Sequence, residues 1–314
     1  MQIGFIGLGL MGASMAQNLQ KAGYRLVVND LNRAAAEPHL GRGAGWAGTP
    51  RAVAEASDVV FTSLPGPAEV EAVAVGDGGL LEGLRGDTAY FDLSTNSPTV
   101  VRRLNARFGA RGVHMLDAPL TGARSGRLAL WVGGDEAIFK RHKPLLDAMG
   151  DQARYVGPIG AGSVAKLVHN CAGYAINAAL AEVFALGVKG GVEPLALWEA
   201  VRTGAVGRRR TFDALIDQFL PGKYDPPHFQ LRLAHKDVSL ATQLGRELSV
   251  PMRLAELALA EMTEAVNRGW AGRDSRVAML PQLERSGVAI AVDSERIKAA
   301  LDRDPPFNAD PKRS

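Results

Sequence analysis

The sequence predicts an α/β domain built on a doubly wound parallel sheet, followed by an all-α C-terminal domain. Three observations carry this prediction. Short apolar runs alternate with helical patterns in the first half of the chain, and a glycine-rich motif follows the first of these runs. The second half has helical spacing throughout. Strand–helix alternation favours parallel strands that are covered by helices on both faces.

Five apolar runs in the first half are predicted as strands, and each is followed by a turn residue or a glycine. They span residues 2–6, 25–29, 59–64, 89–93 and 114–117. Helical spacing separates them, for example at residues 11–22 and 99–108. In the second half, helices are predicted at residues 163–189, 194–203, 210–219, 234–248 and 252–268.

The helix predicted at 163–189 sets the expected domain boundary. At about 26 residues it would be roughly 39 Å long, which suits an element that joins two domains. We therefore expect a dinucleotide-binding domain at residues 1–161 and an all-helical domain at 162–290. We expect residues 291–314 to be a C-terminal extension, whose last stretch, from about residue 302 to 314, is Pro- and charge-rich and forms a loose tail.

Composition excludes several classes of protein. The 36 basic and 33 acidic side chains leave a net charge of only +3, so no nucleic-acid partner is expected. The lone cysteine, Cys171, suits a reducing compartment, and no secretion signal precedes the first strand, so we expect a cytoplasmic protein.

The apolar run 171–188 contains Asn177 and Glu182, which favours a core helix over a membrane span. No His, Cys and carboxylate cluster has metal-ligand spacing, so no metal site is predicted.

The strongest motif is Gly7-Leu8-Gly9-Leu10-Met11-Gly12, which follows a predicted strand and opens a predicted helix. Gly7 permits a tight turn, Gly9 lets the backbone approach a pyrophosphate, and Gly12 lets helix and strand pack closely. The pyrophosphate would lie on free N–H groups at the positive end of a helix. The motif predicts a Rossmann-type dinucleotide site.

Asp30 ends the next strand and is placed to accept hydrogen bonds from the ribose hydroxyls of the cofactor. Its carboxylate would repel a 2′-phosphate, so NAD is favoured over NADP. Arg33 lies three residues on and keeps NADP open, although an exposed loop arginine is the simpler interpretation.

Lys166 and Asn170 are four residues apart on the long predicted helix and share one face. Burial of a lysine among apolar residues lowers its pKa, as a general base for a hydroxyl proton requires. From these residues alone, a surface lysine remains the alternative. His169, beside Asn170, is interpreted as a packing or hydrogen-bonding residue.

Several segments, in order, resemble the β-hydroxyacid dehydrogenase family, which includes 3-hydroxyisobutyrate dehydrogenase and tartronate semialdehyde reductase. The resemblance covers roughly residues 1 to 287. Its N-terminal signature is similar to the run from Phe5 to Met15. The other similar segments are Leu64-Pro65, Ser94-Thr95 with Pro98, the run from Asp117 to Gly122, the run from Gly160 to Asn170, and Lys236-Asp237.

The resemblance implies a reversible hydride transfer between a nicotinamide cofactor and a small, anionic β-hydroxyacid. Lys166 would be the general acid/base, and Asn170 would hold the hydroxyl or the carboxylate. It also implies a homodimer or homotetramer. The residues that it assigns to substrate are Thr121, Gly122, Ala123 and Lys236, and those that it assigns to cofactor are Gly7, Leu8, Gly9, Leu10, Met11, Gly12, Leu64, Pro65, Ser94, Thr95 and again Lys236.

One departure from the family concerns the substrate loop, where Thr121 and Ala123 replace a serine and a glycine and the loop is about four residues shorter. The exact substrate is therefore left open. Three alternative functions also remain: an imine reductase, which usually lacks the lysine, a decarboxylating enzyme similar to 6-phosphogluconate dehydrogenase, and a non-catalytic dinucleotide-binding protein.

Overall fold

A computed structural model describes residues 1–121, 128–150, 152–192, 215–232, 249–285 and 289–303, together with isolated residues between positions 197 and 287. The chain folds into two compact units, residues 1–173 and 174–314. The sheet lies in the first unit. The domain limits of 161 and 290 expected from the sequence stay a prediction.

The strands and helices have the following bounds. The strands are β1 (Gln2–Ile6), β2 (Arg25–Asn29), β3 (Gly45–Trp46), β4 (Val59–Thr62), β5 (Ala89–Asp92), β6 (His114–Asp117), β7 (Leu120–Thr121), β8 (Ala129–Gly133) and β9 (Gln152–Gly157). The α-helices are α1 (Leu10–Lys21), α2 (Glu37–Leu40), α3 (Pro50–Glu55), α4 (Pro67–Val75), α5 (Leu80–Gly83), α6 (Pro98–Gly109), α7 (Glu136–Met149), α8 (Ala161–Lys189), α9 (Arg253–Ala265), α10 (Leu280–Arg285) and α11 (Ser294–Arg303).

The strands form one sheet in the order β3-β2-β1-β4-β5-β6-β8-β7, with β9 paired to β8. Strands β1 to β6 pair in parallel, as predicted, but β8 runs antiparallel to β6 and β7. Only residues 118–128 separate β6 from β8, and a parallel pair needs a crossover of a dozen or more residues. The predicted fold class is confirmed as a sheet dominated by parallel strands.

Two apolar clusters cover the two faces of the sheet. One includes Met15 of α1 and Ile138 of α7, and the other includes Val53 of α3 and Phe108 of α6. Within the first cluster, the rings of neighbouring strands stack, with centroids 5.2 Å apart between Phe61 and Phe91. Both faces are therefore buried, which explains the continuous apolar character of the central strands.

Two predicted strands extend too far. Strand β4 ends at Thr62 and β5 at Asp92 because the next residues turn to hydrogen-bond each other: the N–H of Leu64 donates to Ser94 Oγ at 2.9 Å. Several elements were not predicted from the spacing, among them helix α7 and strands β3, β7 and β9. Helix α7 begins where Asp135 Oδ1 accepts the N–H groups of Ala137 and Ile138.

In its described part the second unit contains helices joined by turns and irregular segments, and an isolated bridge pairs Gln230 with Asp274. The predicted helices at 194–203 and 234–248 lie mostly outside the described residues, and residues 216–219 of the third form a turn. Helix α9 ends earlier than predicted, in a π-type turn whose Gly269 has a φ of 85°. No helix in the described ranges combines the length and the apolar character needed to cross a membrane.

Candidate active site

The glycine motif forms the turn between β1 and α1. Gly7 has a φ of 90°, and a Cβ there would lie 2.2 Å from Ser63 O. A Cβ on Gly12 would lie 1.9 Å from Gly7 O, so α1 packs directly on the turn. At Gly9, by contrast, a Cβ would meet no atom within 4 Å.

Open space at Gly9 faces the start of a helix whose first N–H groups have no side-chain cap. Such N–H groups are available to an anion, and the helix dipole favours negative charge there. The open space at Gly9 and the free N–H groups at the start of α1 together form a glycine cradle, which fits the pyrophosphate of a dinucleotide. Leu10, the first residue of α1, is fully exposed beside it.

Asp30 follows β2 directly and lies against the glycine turn. Its Oδ2 accepts the N–H of Leu8 at 2.6 Å, and its Oδ1 accepts the N–H of Asn32 at 2.8 Å. The Arg33 guanidinium lies over the Trp46 ring, 4.9 Å from its centroid, with Glu37 3.9 Å away. A carboxylate therefore lies beside the glycine turn, while the nearby arginine is held on an aromatic face.

A cavity of about 270 Å³ opens at the carboxyl ends of the central strands, all within the first unit. Six of its nine lining residues had site roles predicted from the sequence, and the other three, Ser63, Leu93 and Leu120, had none. The lining residues are Met11, Ser63, Leu64, Leu93, Ser94, Thr95, Leu120, Thr121 and Lys166. Parallel sheets bind ligands at this edge. Pro65 is exposed and lies outside the cavity lining.

Asp92 organises the cavity wall that carries Ser94 and Thr95. This fully buried carboxylate accepts hydrogen bonds from Thr62 Oγ1, Ser94 N and Asn96 Nδ2 at 2.9–3.1 Å. Burial raises its pKa, against the opposing effect of these hydrogen bonds. Sequence reasoning missed Asp92 and Asn96, although an acid that ends an apolar strand was the available signal.

Asp117 fixes the start of α8, the helix that carries Lys166. Its Oδ1 accepts the N–H of Gly160 at 2.7 Å, and its Oδ2 accepts the N–H of Ser163 at 2.6 Å. The first turn of α8 packs closely on strand β8, because a Cβ on Gly162 would lie 2.3 Å from Trp131 O. The sequence placed Asp117 in the substrate loop but did not predict this capping role.

Lys166 is half-buried at the cavity, and Asn170 follows it one turn later on α8. Burial lowers the pKa of the Lys166 amine below its ordinary value. A larger fraction of the amine is then neutral near physiological pH, which a proton acceptor needs.

Thr121 lines the same cavity at the end of β7. Its Oγ1 lies 3.2 Å from Nε2 of His169, whose ring packs against the indole of Trp131. Gly122, Ala123 and Lys236, the other residues assigned to substrate from the sequence, lie outside the described residues.

Two family models match the chain. The model for the NAD binding domain of 6-phosphogluconate dehydrogenase matches residues 2–157. The model for the NAD-binding of NADP-dependent 3-hydroxyisobutyrate dehydrogenase matches residues 160–281.

Individual relatives agree with these models. The 2-(hydroxymethyl)glutarate dehydrogenase of Eubacterium barkeri is 34% identical over 295 residues, which cover 92% of this chain and 97% of the relative. The structure of Mycobacterium tuberculosis 3-hydroxyisobutyrate dehydrogenase with L-serine is 30% identical, with a TM-score of 0.62 over 89% of this chain and 98% of that one.

An imine reductase from Myxococcus stipitatus in complex with NADP⁺ has a TM-score of 0.75, covering 89% of this chain and 99% of that one. At 20% identity it shows the fold alone. The resemblance seen in the sequence is confirmed by the closer relatives and by the two models: the chain belongs to the β-hydroxyacid dehydrogenase family.

Proposed function

We propose that the chain oxidises a small β-hydroxyacid, with NAD as the hydride acceptor and Lys166 as the general base. One observation carries the proposal: a half-buried lysine with a lowered pKa lines one cavity with Thr121, Ser94 and Leu64. The chain's family membership supports the dehydrogenase chemistry, and the glycine cradle supports a dinucleotide.

The reaction moves a hydride and a proton. The glycine turn and Asp30 would hold the dinucleotide, and its oxidised nicotinamide would supply the acceptor for the hydride that leaves the carbon bearing the hydroxyl. Lys166 Nζ takes the hydroxyl proton as the C–O bond becomes a carbonyl, so that the products are an aldehyde or ketone acid and an ammonium at Lys166. In the reverse direction the ammonium returns this proton to the carbonyl oxygen.

Thr121 would bind the acid group of the substrate through its hydroxyl, with backbone N–H groups of Gly122 and Ala123 beside it. Asn170 would hold the hydroxyl or the carboxylate of the substrate, one turn from Lys166. Lys236 would help to bind the same anion or the cofactor. Buried Asp92 and capping Asp117 keep the two walls of the cavity in place.

The substrate class follows from what the relatives are named for. 3-Hydroxyisobutyrate, L-serine and 2-(hydroxymethyl)glutarate each carry a primary hydroxyl on the carbon β to a carboxylate. These three acids are the first candidates for this chain. NAD is preferred in the proposal because Asp30, whose carboxylate lies against the glycine turn, would repel a 2′-phosphate.

We also propose a homodimer or homotetramer. Val164, Leu167 and Val168 of α8 are 43–57% exposed in the single chain, and a second copy would remove such apolar surface from water. Sedimentation velocity would give the mass in solution, and a monomer at all concentrations would contradict this part of the proposal.

The test follows absorbance of the reduced nicotinamide while the three acids are offered with NAD or NADP. Lys166→Ala should lower kcat at least a hundredfold. Lys143→Ala is the matched control, because Lys143 is an exposed helix lysine paired with Asp147 and should keep full activity.

Three results would contradict the proposal. Full activity of Lys166→Ala would remove the lysine from the proton transfer. Reduction of a cyclic imine with NADPH, in the absence of any hydroxyacid oxidation, would favour the imine reductase alternative. Tight NAD binding with no turnover of either class would favour a non-catalytic protein.

A further inference from the structure

His169 contacts the cavity wall from the same helix as Lys166. The two residues are three positions apart on α8, so their side chains emerge from one side of the helix. His169 Nε2 lies 3.2 Å from Thr121 Oγ1, within hydrogen-bonding distance. Its ring centroid lies 5.2 Å from that of Trp131, tilted by 57°. A histidine thus links the helix of the general base to the residue that we assign to the substrate acid.

The contact follows from how α8 packs on the sheet. Thr121 and Trp131 belong to the paired strands β7 and β8, where Thr121 is opposite Ala129. The first turn of α8 approaches this hairpin so closely that only glycine fits at position 162. Asp117 then holds that turn through two backbone hydrogen bonds. The position of His169 over the hairpin is therefore set by buried contacts as well as by its own hydrogen bond.

We propose that His169 is a positioning residue for substrate binding, and that its Nε2–H donates to Thr121 Oγ1. This inference rests on the proposed function, because it concerns the acid-binding side of that site. A threonine hydroxyl has one proton and two lone pairs. When a lone pair accepts the histidine proton, the hydroxyl proton is left to donate to the substrate.

Which of the two residues donates this hydrogen bond matters because the ligand is an anion. An ionised carboxylate only accepts hydrogen bonds. If Thr121 donated to His169 instead, its oxygen would present lone pairs to the carboxylate and repel it. Packing against Trp131 holds the imidazole edge toward Thr121. The hydrogen bond from His169 to Thr121, followed by the one from Thr121 to the substrate, forms a relay that makes Thr121 a donor to the acid group.

The test measures how tightly the acid binds, apart from turnover. 3-Hydroxyisobutyrate, L-serine and 2-(hydroxymethyl)glutarate are titrated onto the full-length protein with NADH bound, and the fluorescence of the bound cofactor reports the Kd of each acid. His169→Phe keeps a ring on Trp131 but removes the donor, whereas His169→Gln restores an N–H donor. The expected effects are a rise in acid Kd of about tenfold or more for His169→Phe and of less than about threefold for His169→Gln. The Kd of NADH should not change in either variant.

A double-mutant cycle separates a relay from an independent contact. Thr121→Val removes the hydroxyl at nearly constant volume and should weaken acid binding as His169→Phe does. The double variant should then be no worse than Thr121→Val alone, because His169 acts through that hydroxyl. His114→Phe is the control: His114 begins strand β6, at the edge of the sheet opposite to the cavity, and pairs with Asp87. This variant should bind the acids as the wild type does.

Three results would overturn the inference: unchanged acid Kd in His169→Phe, additive losses in the double variant, or no recovery in His169→Gln. Failure of the proposed function looks different. In that case the wild type binds an acid but oxidises none of the three, while the His169→Phe loss of affinity still supports the relay. If the wild type oxidises an acid and His169→Phe leaves its Kd unchanged, the function stands and the relay is wrong. If no acid binds the wild type, both are wrong.

Discussion

Asp92 and Asp117 are direct partners in the register between β5 and β6, so two buried acids end neighbouring strands at the cavity edge of the sheet. Each carboxylate accepts at least one backbone hydrogen bond from the segment that forms one cavity wall. Asp92 binds the loop with Ser94, and Asp117 binds the start of α8. Because they lie side by side in the sheet, both acids can fix the cavity walls: Asp92 positions the loop with Ser94, which is assigned to the cofactor, and Asp117 positions the helix that carries Lys166.

Asp117→Asn tests this role for the wall that carries Lys166. One of the two accepting oxygens becomes an NH₂ group that faces a backbone N–H, so a hydrogen bond to a charged group is lost. We expect the free energy of unfolding to fall by about 1.5–3 kcal/mol. The turnover number should fall about 10–100-fold, because a small misplacement of Lys166 is costly to the chemical step. Chemical denaturation and steady-state kinetics would measure the two effects.

Asp135→Ala is the matched control for Asp117→Asn. Asp135 caps α7 by the same kind of hydrogen bonds, to Ala137 and Ile138, but it does not line the cavity. It should lose about 1 kcal/mol of stability and keep its kcat. Equal kcat in the wild type and in Asp117→Asn would show that Asp117 serves stability alone.

Gly9→Ala and Gly12→Ala should separate binding from folding within one motif. A methyl group at position 9 enters open space, so stability should be kept, but the space is that proposed for the pyrophosphate and NAD affinity should fall at least tenfold. A methyl group at position 12 would collide with Gly7 O, and we expect a loss of about 1–3 kcal/mol of stability. Thermal unfolding and NADH titration of both variants check this, and a Gly9→Ala protein that binds NADH normally would place the pyrophosphate elsewhere.

The fold class was predicted from local signals, whereas most of the six cavity residues with predicted site roles came from the family resemblance. Apolar runs mark buried strands, and the glycines of the first turn mark close backbone approach at Gly7 and Gly12. Thr121 and the catalytic role of Lys166 were instead implied by segments that resemble the β-hydroxyacid dehydrogenase family in the same order along the chain.

The residues that were missed act over long sequence distances. Asp117 bonds to the backbone at positions 160 and 163, and no local pattern shows which distant N–H groups a buried acid will accept. The contact of His169 with Thr121 likewise joins residues 48 positions apart. Strand β8 reverses direction because its connection is short, which depends on chain length rather than on apolar spacing.

The rate of hydroxyacid oxidation should rise with pH. Burial lowers the pKa of Lys166, and the neutral amine is the form that takes the hydroxyl proton. kcat/KM for oxidation should therefore increase as pH rises through this pKa and level off above it, with a midpoint below the ordinary lysine value of about 10.4. The reverse reaction needs the ammonium, so its rate should fall over the same range.

Lys166→Arg is the check on the pH profile, because a guanidinium stays protonated throughout this range. Oxidation by this variant should be slow and should lose the rise with pH. A profile identical in shape to that of the wild type would assign the titration to another group.

Cofactor choice should depend on Asp30 more than on Arg33. Asp30→Asn removes the negative charge beside the expected ribose, so the ratio of NAD to NADP affinity should fall at least tenfold. Arg33→Ala should change NAD affinity less than about twofold, because its guanidinium is held over the Trp46 ring rather than at the glycine turn. In the Asp30→Asn variant, the Arg33 guanidinium could leave the Trp46 ring and bind the 2′-phosphate of NADP. Adding Arg33→Ala to that variant should then remove part of its gain in NADP affinity. Titration of each variant with NADH and NADPH measures these affinities, and an NADP preference in the wild type would contradict the role assigned to Asp30.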